Sequence, residues 1–254
     1  MITDSVLHEK VEFSIPAFAV GPSGRLTPAY LIRLLQEAAM INTVRLKISS
    51  PELMAEMGLS WVLRRQRINI TRLPAMGTRV IVITAPSGFE RRLQTFRDFH
   101  VLDEEGNMLL TAATQWLLMD VTSRRLKPIP PHIAALEADL APAAAHLDRP
   151  LGKIKPPEAG GQTREFTVAY HQLDFNDHLT NPVFPELMLE PLGGHFLKRH
   201  TPTLLEVDYR LEARFGDPLV AQASALTSNG LLQRHALRRE GDLLATMESH
   251  WRVN

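Results

Sequence analysis

The segment Glu12-Phe13-Ser14-Ile15 recurs 153 residues later as Glu165-Phe166-Thr167-Val168, and this repetition decides the fold. At the same interval Leu26-Thr27 recurs as Leu179-Thr180, and each pair is followed closely by a proline. One such match could arise by chance, but an ordered series of matches indicates that the chain contains two copies of one structural unit.

Further matches continue the series toward the C-terminus. Gly77 matches Gly216 at an interval of 139 residues, and Trp116 matches Trp251 at an interval of 135 residues. Because the interval shrinks along the chain, the second copy has lost residues after its helix and in one hairpin.

Two units and a connector follow from this repeat. We predict an N-terminal unit of residues 1–127, a connector of residues 128–162 and a C-terminal unit of residues 163–254. The connector holds seven of the 18 prolines and ends in Gly160-Gly161, a composition that is typical of an irregular link.

Each copy has the same predicted order of elements, namely a strand, a helix and then several strands. In the first copy Thr27 is a helix-capping residue and Pro28 suits the first helical turn, and apolar residues then recur at helical spacing as far as Val44. Residues 61–70 and 79–84 are rich in β-branched and aromatic residues, which is typical of strands.

The strand pattern is most regular in the second copy. From Val207 to Phe215, apolar residues alternate with charged residues at a period of two, which predicts one strand with an apolar and a polar side. A helix followed by antiparallel strands, present twice, predicts an α+β protein with the double hotdog fold. In that fold each of two tandem units is a curled antiparallel sheet wrapped around a long central helix.

Composition restricts the classes of function. The 254 residues include 28 basic and 28 acidic side chains, so no overall field directs the protein to nucleic acid. The absence of cysteine excludes disulfides, thiolate metal sites and a cysteine nucleophile. The ten histidines show no tight ligand spacing and no glycine-rich phosphate loop is present, so we expect neither a metal nor a cofactor.

The sequence also gives an expectation for the location of the protein in the cell. Its first residues lack the apolar core of a secretion signal, and no segment approaches the roughly 20 apolar residues of a membrane-spanning helix. We therefore expect a cytoplasmic protein without a membrane span.

The stretch Asp174-Phe175-Asn176-Asp177-His178-Leu179-Thr180-Asn181-Pro182 holds the candidate chemistry. Asp174, Asn176 and His178 alternate along the chain, so in an extended segment all three side chains point to one side. A carboxylate, an amide and an imidazole on one side are suited to polarising a carbonyl group and transferring a proton.

The end of this stretch predicts a helix start. Asn181 is a cap residue, and Pro182 would occupy the first helical position. Because the helix dipole favours negative charge there, we expect backbone N–H groups near Thr180 and Asn181 to bind an oxyanion. The same residue types also occur in turns and caps that have no catalytic role.

The duplication tests this simpler interpretation. At the interval of 153 residues, the first copy has Gly21, Ser23 and Arg25 in place of the three polar residues. If the turn itself required a carboxylate, an amide and an imidazole, both copies would carry them. We therefore predict that Asp174, Asn176 and His178, the polar trio of the second copy, have a functional role.

The chain resembles the acyl–acyl carrier protein (acyl-ACP) thioesterases of plant plastids and bacteria. The stretch from Asp174 to Asn181 is similar to the family's D-x-N-x-H-[VL]-N-N signature, with Thr180 in place of the first asparagine of the final pair. The similarity extends from about residue 12 to residue 251 and includes Leu35-Gln36-Glu37-Ala38-Ala39, Trp61-Val62, Arg64, Arg97-Asp98-Phe99 and the segment from Trp116 to Pro130.

This resemblance implies hydrolysis of the thioester that joins a fatty acyl chain to the phosphopantetheine arm of the acyl carrier protein. It implies catalytic roles for Asp174, Asn176, His178 and Glu212, the last within a Tyr-Arg-x-Glu context. Many relatives have cysteine at the next position, where this chain has Ala213, so a thiol nucleophile is excluded.

We expect Glu212 or Asp174 to activate water, with direct attack by Asp174 as an alternative. His178 would transfer the proton or support the carboxylate. Asn176 would donate a hydrogen bond to the substrate or orient His178.

Two further sets of residues are expected to bind the substrate. The first copy lacks the trio and is free to form an acyl pocket, with Trp61 in its wall. An acidic carrier protein would need a basic surface, for which the sequence offers Arg64, Arg65 and Arg67 and also Arg124, Arg125 and Lys127. A solvated charged face accounts for the two clusters equally well.

Three alternatives stay open at this point. They are a thioesterase that acts on acyl-coenzyme A, a hydratase or dehydratase that acts on acyl thioesters, and a non-catalytic acyl-binding module. The presence of the trio in one copy only argues against the binding module. Because the chain already contains two units, both a monomer and a homodimer are compatible with the fold.

Overall fold

The computed structural model describes residues 5–150, 152–158, 160–224 and 231–254, and within these ranges eleven strands form one antiparallel sheet. In chain order the strands are β1 (Glu9–Ser14), β2 (Leu59–Ile70), β3 (Arg79–Glu90), β4 (Gln94–Asp103), β5 (Met108–Asp120), β6 (Leu126–Lys127), β7 (Gln162–Thr167), β8 (His200–Tyr209), β9 (Pro218–Ala223), β10 (Leu232–Arg239) and β11 (Asp242–Val253). The helices are α1 (Pro28–Arg45), α2 (Ser50–Met57), α3 (Pro131–Ala134), α4 (Val183–Leu189) and α5 (Gly193–Arg199). None of these helices is both long and apolar enough to cross a membrane.

The sheet is continuous across the two copies. Its strands lie in the order β1-β3-β4-β5-β2-β8-β11-β10-β9-β7, with β6 beside β5. The copies join where β2 pairs with β8, from the Arg65–Asp208 pair to the Asn69–Leu204 pair. With α1 and α4 packed against this sheet, the architecture is the double hotdog fold predicted from the sequence.

The first central helix forms as the sequence predicts. The side chain of Thr27 accepts a hydrogen bond from the backbone N–H of Tyr30 at 3.4 Å, and Pro28 takes the first position, where a missing N–H removes no helical bond. Ile41 and Val44 are 37% and 51% exposed, so the last part of the predicted apolar stripe lies at the surface. The inner face of α1 belongs to the core and includes Leu31, Ile32, Leu35 and Ala38.

The second copy departs from the prediction of one long helix. Its helical segment is divided into α4, a 3₁₀ turn over Glu190–Leu192, and α5. Gly193, at the junction of the 3₁₀ turn and α5, has a φ of 77°, which interrupts a continuous helix and which glycine adopts without steric cost. Near the break the carbonyl oxygen of Met188 contacts buried His235, whose Nδ1 lies 2.8 Å away.

The strand predicted over residues 207–215 is also shorter than expected. β8 ends at Tyr209, and residues 210–217 follow an irregular path to β9. The predicted division into an apolar and a polar side is wrong, because Asp208 is 1% exposed whereas Leu211 and Phe215 are 47% and 66% exposed. Val207, Tyr209 and Ala213 are buried as the alternation predicts, so the departures are the buried charge of Asp208 and the exposed side chains of Leu211 and Phe215.

The buried charges of β8 pair with the arginines of β2. Arg64 and Arg65 both lie within ion-pair distance of Asp208, and Arg67 pairs with Glu206 at 2.9 Å. Arg65 is only 8% exposed. Ion pairs with β8 therefore engage the charges of Arg64, Arg65 and Arg67 in joining the two copies, which disfavours the predicted carrier-binding surface at these residues without excluding Arg64 and Arg67, whose side chains are 34% and 32% exposed.

Candidate active site

The stretch that begins at Asp174 forms a tight turn, and the first copy builds the same turn. The N–H of Asp174 donates to the carbonyl of His178 at 2.8 Å, and the N–H of Gly21 donates to the carbonyl of Arg25 at 3.0 Å. The backbone hydrogen bonds therefore repeat at the interval of 153 residues, while the side chains differ.

Each turn contains one residue in the left-handed region. Asp177 has a φ of 64°, and its counterpart Gly24 has a φ of 71°. Aspartate is one of the few residues other than glycine that tolerate this conformation. The turn contradicts the prediction of an extended segment, so Asp174, Asn176 and His178 reach the surface from a loop and not from alternate positions of a strand.

His178 and Glu212 meet beside this turn. Nε2 of His178 lies 3.2 Å from Oε1 of Glu212, and the two side chains are 16% and 33% exposed. Glu212 lies in the irregular segment after β8, not on a strand as predicted, and this path brings its carboxylate to the imidazole. The pair is both accessible to a ligand and partly shielded from water.

Arg124 reaches the same carboxylate from the first copy. Its Nη2 hydrogen-bonds Oε2 of Glu212, from a turn in which Arg124 has a φ of 56°. The sequence placed Arg124 in a carrier-binding cluster, but the structure places its guanidinium in contact with a predicted catalytic carboxylate. The site is therefore assembled from groups of both copies.

Arg214 is a site residue that the sequence analysis missed. Its Nη2 lies 3.4 Å from Nε2 of His178 and 3.4 Å from Oε1 of Glu212, and its side chain is 61% exposed. The sequence contained a signal for this role. Arg214 follows Glu212 by two residues, and in the strand predicted there, residues two apart would lie on the same side of the chain.

Asp174 contacts its own turn. Its Oδ1 accepts hydrogen bonds from the backbone N–H of Asn176 at 2.8 Å and from that of His178 at 3.2 Å. The first copy closes its turn with Gly21, which has no side chain, so the carboxylate is not required for the turn. Asn176 is partly buried within the loop.

The surroundings of His178 favour its neutral form. Burial lowers the pKa of the imidazole below its ordinary value of 6.5, and the cations Arg124 and Arg214 lower it further. The carboxylates of Asp174 and Asp177 raise the pKa, but the net direction is downward. At neutral pH the imidazole can therefore accept a proton.

The predicted oxyanion site at the start of the helix is only partly compatible with the structure. α4 begins at Val183 with Pro182 as its cap, so the predicted cap at Asn181 lies one residue too early. The N–H of Thr180 donates to the carbonyl of Gln172 at 2.9 Å and cannot also bind an oxyanion. A backbone hydrogen bond within the loop therefore uses the N–H of Thr180, which we expected to bind the oxyanion.

The two segments that carry His178 and Glu212 also carry exposed apolar side chains. Phe175 in the turn is 63% exposed, and Leu211 and Phe215, which flank Glu212, are 47% and 66% exposed. Exposed apolar groups gathered at one place on a surface are typical of a contact with another molecule.

Arg125 and Lys127, which we grouped with Arg124 as a basic cluster, are close to Arg124 in the sequence. Arg125 is exposed and has no acidic partner in the part of the chain that the structure describes. Lys127 pairs with Asp120 at 3.6 Å. Of this cluster, Arg125 therefore keeps its charge available to a partner.

A cavity lies in the first copy between α1 and the sheet. It has a volume of about 80 Å³, and Trp61 lies in its wall. The indole N–H of Trp61 donates to the carbonyl of Ile48 at 2.8 Å, which fixes the ring. Most of the wall is apolar and is formed by Ala39, Met40, Phe89, Phe96, Trp116 and Ile133.

Two family models match most of the chain. The model of the acyl-ACP thioesterase N-terminal domain matches residues 7–136, and that of the C-terminal domain matches residues 156–253. The chain is 26% identical over 250 residues to a dodecanoyl-[acyl-carrier-protein] hydrolase of Cinnamomum camphora, which covers 90% of this chain and 63% of the relative. It is 25% identical over 230 residues to an oleoyl-acyl carrier protein thioesterase of Arabidopsis thaliana, which covers 85% of this chain and 63% of the relative.

Solved structures show the same architecture. The chain has a TM-score of 0.87 to a 12:0-ACP thioesterase from Umbellularia californica, at 22% identity and covering 98% of this chain and 95% of that one. It has a TM-score of 0.85 to an acyl-ACP thioesterase from Bacteroides thetaiotaomicron, at 21% identity and covering 97% and 98%. The structural likeness shows the fold, and the sequence models show that this chain belongs to the acyl-ACP thioesterase family.

Proposed function

We propose that this protein hydrolyses fatty acyl-ACP thioesters to a free fatty acid and the carrier thiol. The observation that carries the proposal is the contact of 3.2 Å between Nε2 of His178 and Oε1 of Glu212. The substrate class is supported by membership of the acyl-ACP thioesterase family and by the activities named for its relatives. The chain spans 63% of the length of these two relatives. We therefore propose, by analogy with them, that this chain acts on the same class of substrate.

The pair can activate water without a cysteine. When Nε2–H of the neutral imidazole of His178 donates to Oε1 of Glu212, Nδ1 is the nitrogen that accepts a proton from water as the water oxygen bonds to the thioester carbon. The carbon–sulfur bond then breaks, and the imidazolium returns the proton to the departing thiolate. The products are a carboxylic acid and a thiol, and the pair is restored.

The carbonyl oxygen needs a donor as it gains negative charge. Arg214 is a cationic donor beside the pair, 3.4 Å from Nε2 of His178. The side-chain amide of Asn176 is a second candidate, as the sequence analysis expected. These groups replace the backbone N–H of Thr180, which is already bonded.

Asp174 acts in this scheme by positioning His178. Its Oδ1 accepts from the backbone N–H of His178 at 3.2 Å, whereas Glu212 contacts the imidazole directly. We therefore favour Glu212 over Asp174 as the partner of His178 in water activation. Direct attack by Asp174 is the less well supported alternative.

Two other activities use the same kinds of groups. An acyl-coenzyme A thioesterase would release coenzyme A, and a hydratase or dehydratase would act on the acyl chain without releasing a thiol. The rate of thiol release from carrier-linked and coenzyme A-linked substrates, followed with a thiol reagent, separates all three activities.

The first prediction concerns the catalytic pair. We expect His178→Ala and Glu212→Gln each to lower kcat by at least about tenfold, a threshold set below the roughly 10²–10⁴-fold contribution of general acid–base catalysis. If the two residues act as one unit, the double variant is no slower than the slower single variant. Steady-state hydrolysis of a carrier-linked acyl chain measures these effects.

The chain contains a matched control for this experiment. Nε2 of His250 lies 3.0 Å from Oε1 of Glu248 on β11, which is the same type of contact in another place. His250→Ala and Glu248→Gln should leave kcat unchanged. Full activity of His178→Ala or Glu212→Gln would remove that residue from the mechanism.

The second prediction concerns protonation. We expect the imidazole of His178 to titrate below 6.5 in an NMR titration, because burial lowers its pKa. Arg214→Gln removes a cation and should raise the midpoint, whereas Asp174→Asn removes an anion and should lower it. Activity should fall as the pH drops through the wild-type midpoint. A midpoint above 6.5, or shifts of the opposite sign, would contradict this account.

The third prediction concerns the acyl pocket. We propose that the cavity lined by Trp61 holds the acyl chain, because its walls are apolar and it lies in the copy without the trio. Trp61→Ala enlarges the cavity and should shift the preferred acyl length upward, whereas Trp61→Phe should shift it less. The measurement is kcat/KM across a series of carrier-linked chains. Phe18→Ala, at an exposed aromatic residue of the same copy, is the control. An unchanged length profile in both Trp61 variants would show that the chain binds elsewhere.

The fourth prediction concerns the carrier protein. We propose that it docks on the exposed apolar groups of the two segments that carry the pair and on the adjacent basic turn. Because Arg125 has no acidic partner and does not contact the pair, Arg125→Glu should raise KM roughly threefold or more, as expected for a reversed surface charge. The value of kcat should stay constant, and the effect should weaken at high salt. Arg79→Glu, at a 72% exposed residue on β3, is the matched control, and equal KM values for both variants would reject the surface.

A further inference from the structure

Arg124 is a residue of the first copy that reaches the pair of His178 and Glu212. Its Nη2 donates to Oε2 of Glu212, while Oε1 of the same carboxylate lies 3.2 Å from Nε2 of His178. The two oxygens of Glu212 are therefore divided between a guanidinium from one copy and an imidazole from the other. Because the bond to Oε2 limits rotation of the carboxylate, it keeps Oε1 facing the imidazole.

The turn that carries Arg124 is fixed from within the first copy. Oδ1 of Asp120, the last residue of β5, accepts from the N–H of Thr122 at 3.1 Å and from that of Ser123 at 2.8 Å. The N–H of Arg124 donates to the carbonyl of Asp120 at 2.9 Å, and the N–H of Asp120 donates to the carbonyl of Arg125 at 3.0 Å. The end of β5 therefore sets the position of the guanidinium.

Neither the backbone of this turn nor the core requires an arginine at position 124. Its φ of 56° lies in the left-handed region, which glycine would adopt with less strain. Its side chain is 43% exposed, so it fills no space in the core. Among the described residues, Glu212 is the hydrogen-bond partner of the guanidinium. The side chain is thus explained by its contact with the carboxylate.

Arg214 does not duplicate this contact. Its Nη2 lies 3.4 Å from Oε1 of Glu212 and 3.4 Å from Nε2 of His178, so it approaches the oxygen that faces the imidazole. Arg124 is bound to the opposite oxygen, Oε2. The two cations consequently have different positions in the site, and the more exposed Arg214 is the one that can also reach a substrate oxygen.

We propose that Arg124 is a positioning residue, which acts through Glu212 to fix the imidazole of His178 for proton transfer. The inference rests on the proposed thioesterase function. With Oε2 held by Arg124, Oε1 accepts the Nε2–H of His178, and Nδ1 is left to receive the proton from water. Because the first copy sets the position of the guanidinium, the second copy by itself would not contain the complete site.

The charge of Arg124 also affects the protonation of His178. Burial is the largest cause of the lowered pKa of the imidazole, and Arg124 lowers that pKa further. Loss of this cation therefore raises the pKa, whereas lysine keeps the cation without the planar fork of the guanidinium. The charged groups that face the imidazole are Arg124, Arg214, Asp174, Asp177 and Glu212.

The fifth prediction compares hydrolysis of a carrier-linked acyl chain with that of the same acyl chain on a short thiol. We expect Arg124→Met to lower kcat roughly fivefold or more on both substrates, because the charge-assisted hydrogen bond to Glu212 is lost. The KM for the short thioester should stay constant, and Arg124→Lys should restore part of kcat. A higher KM for the carrier-linked substrate alone, with kcat unchanged, would show that Arg124 binds the carrier and would overturn the proposal.

A double-variant cycle shows whether Arg124 acts through Glu212. In the Glu212→Gln background, Arg124→Met should lower kcat by less than about twofold, since the carboxylate that it positions is already absent. An undiminished loss in that background would mean that Arg124 acts by another route.

The chain contains a matched control on β10 and β11. Nε of Arg234 lies 3.6 Å from Oε2 of Glu248, and Oε1 of Glu248 lies 3.0 Å from Nε2 of His250. The same three groups therefore meet in the same order, away from the candidate site. Arg234→Met should leave kcat unchanged, and an equal loss in this variant would count against a specific role of Arg124.

An NMR titration of His178 separates this inference from the proposed function, because it requires no activity. Arg124→Met should raise the midpoint of the imidazole, and Arg124→Lys should leave it near the wild-type value. In an active enzyme, the pH at which activity is lost on acidification should rise with the midpoint. A raised midpoint in a protein that hydrolyses no thioester would reject only the thioesterase proposal. An active Arg124→Met variant with unchanged kcat and midpoint would reject only the role of Arg124.

Discussion

The antiparallel pairing of β2 with β8 holds the two copies of the unit together. It makes one sheet from two copies, and it buries Asp208 against Arg64 and Arg65. A carboxylate this buried is stable only with its partners, since removal of one member of a buried ion pair typically costs about 3–5 kcal/mol. Glu212 follows Asp208 by four residues. The junction therefore sets where the segment bearing Glu212 leaves the sheet, and with it the position of the candidate catalytic carboxylate.

The duplicated turn shows how one copy can acquire chemistry while the other does not. Backbone hydrogen bonds close both turns, and the left-handed position is taken by Gly24 in one and by Asp177 in the other. Because the side chains at the remaining positions are not needed for closure, they are free to differ. The first copy has Arg25 where the second has His178, and among the described residues His178 contacts the carboxylate of Glu212 whereas Arg25 forms no ion pair.

The two copies have consequently taken different tasks within one proposed reaction. The second supplies the imidazole and the carboxylate, and the first supplies a cavity and the guanidinium of Arg124. Without cysteine, nucleophilic attack falls to water, and the polar groups around His178 set its protonation. In the proposed reaction the acyl chain would enter the cavity of the first copy, while the thioester would be cleaved at His178 and Glu212.

Patterns in the sequence predicted the duplication, the first central helix, the strand-rich copies and the polar residues of the turn, and the family resemblance added Glu212, but the predictions did not include Arg214. Caps, periodicity and repeats report on neighbours along the chain, and these features depend on such neighbours. The tertiary structure alone decided which charges meet. Arg124 and Glu212 are 88 residues apart, and Arg64 and Asp208 are 144 apart, so no local pattern joins them. The same limit explains the error over residues 207–215, because an alternating charge can face water or a buried partner. Only the register of two distant strands distinguishes these environments.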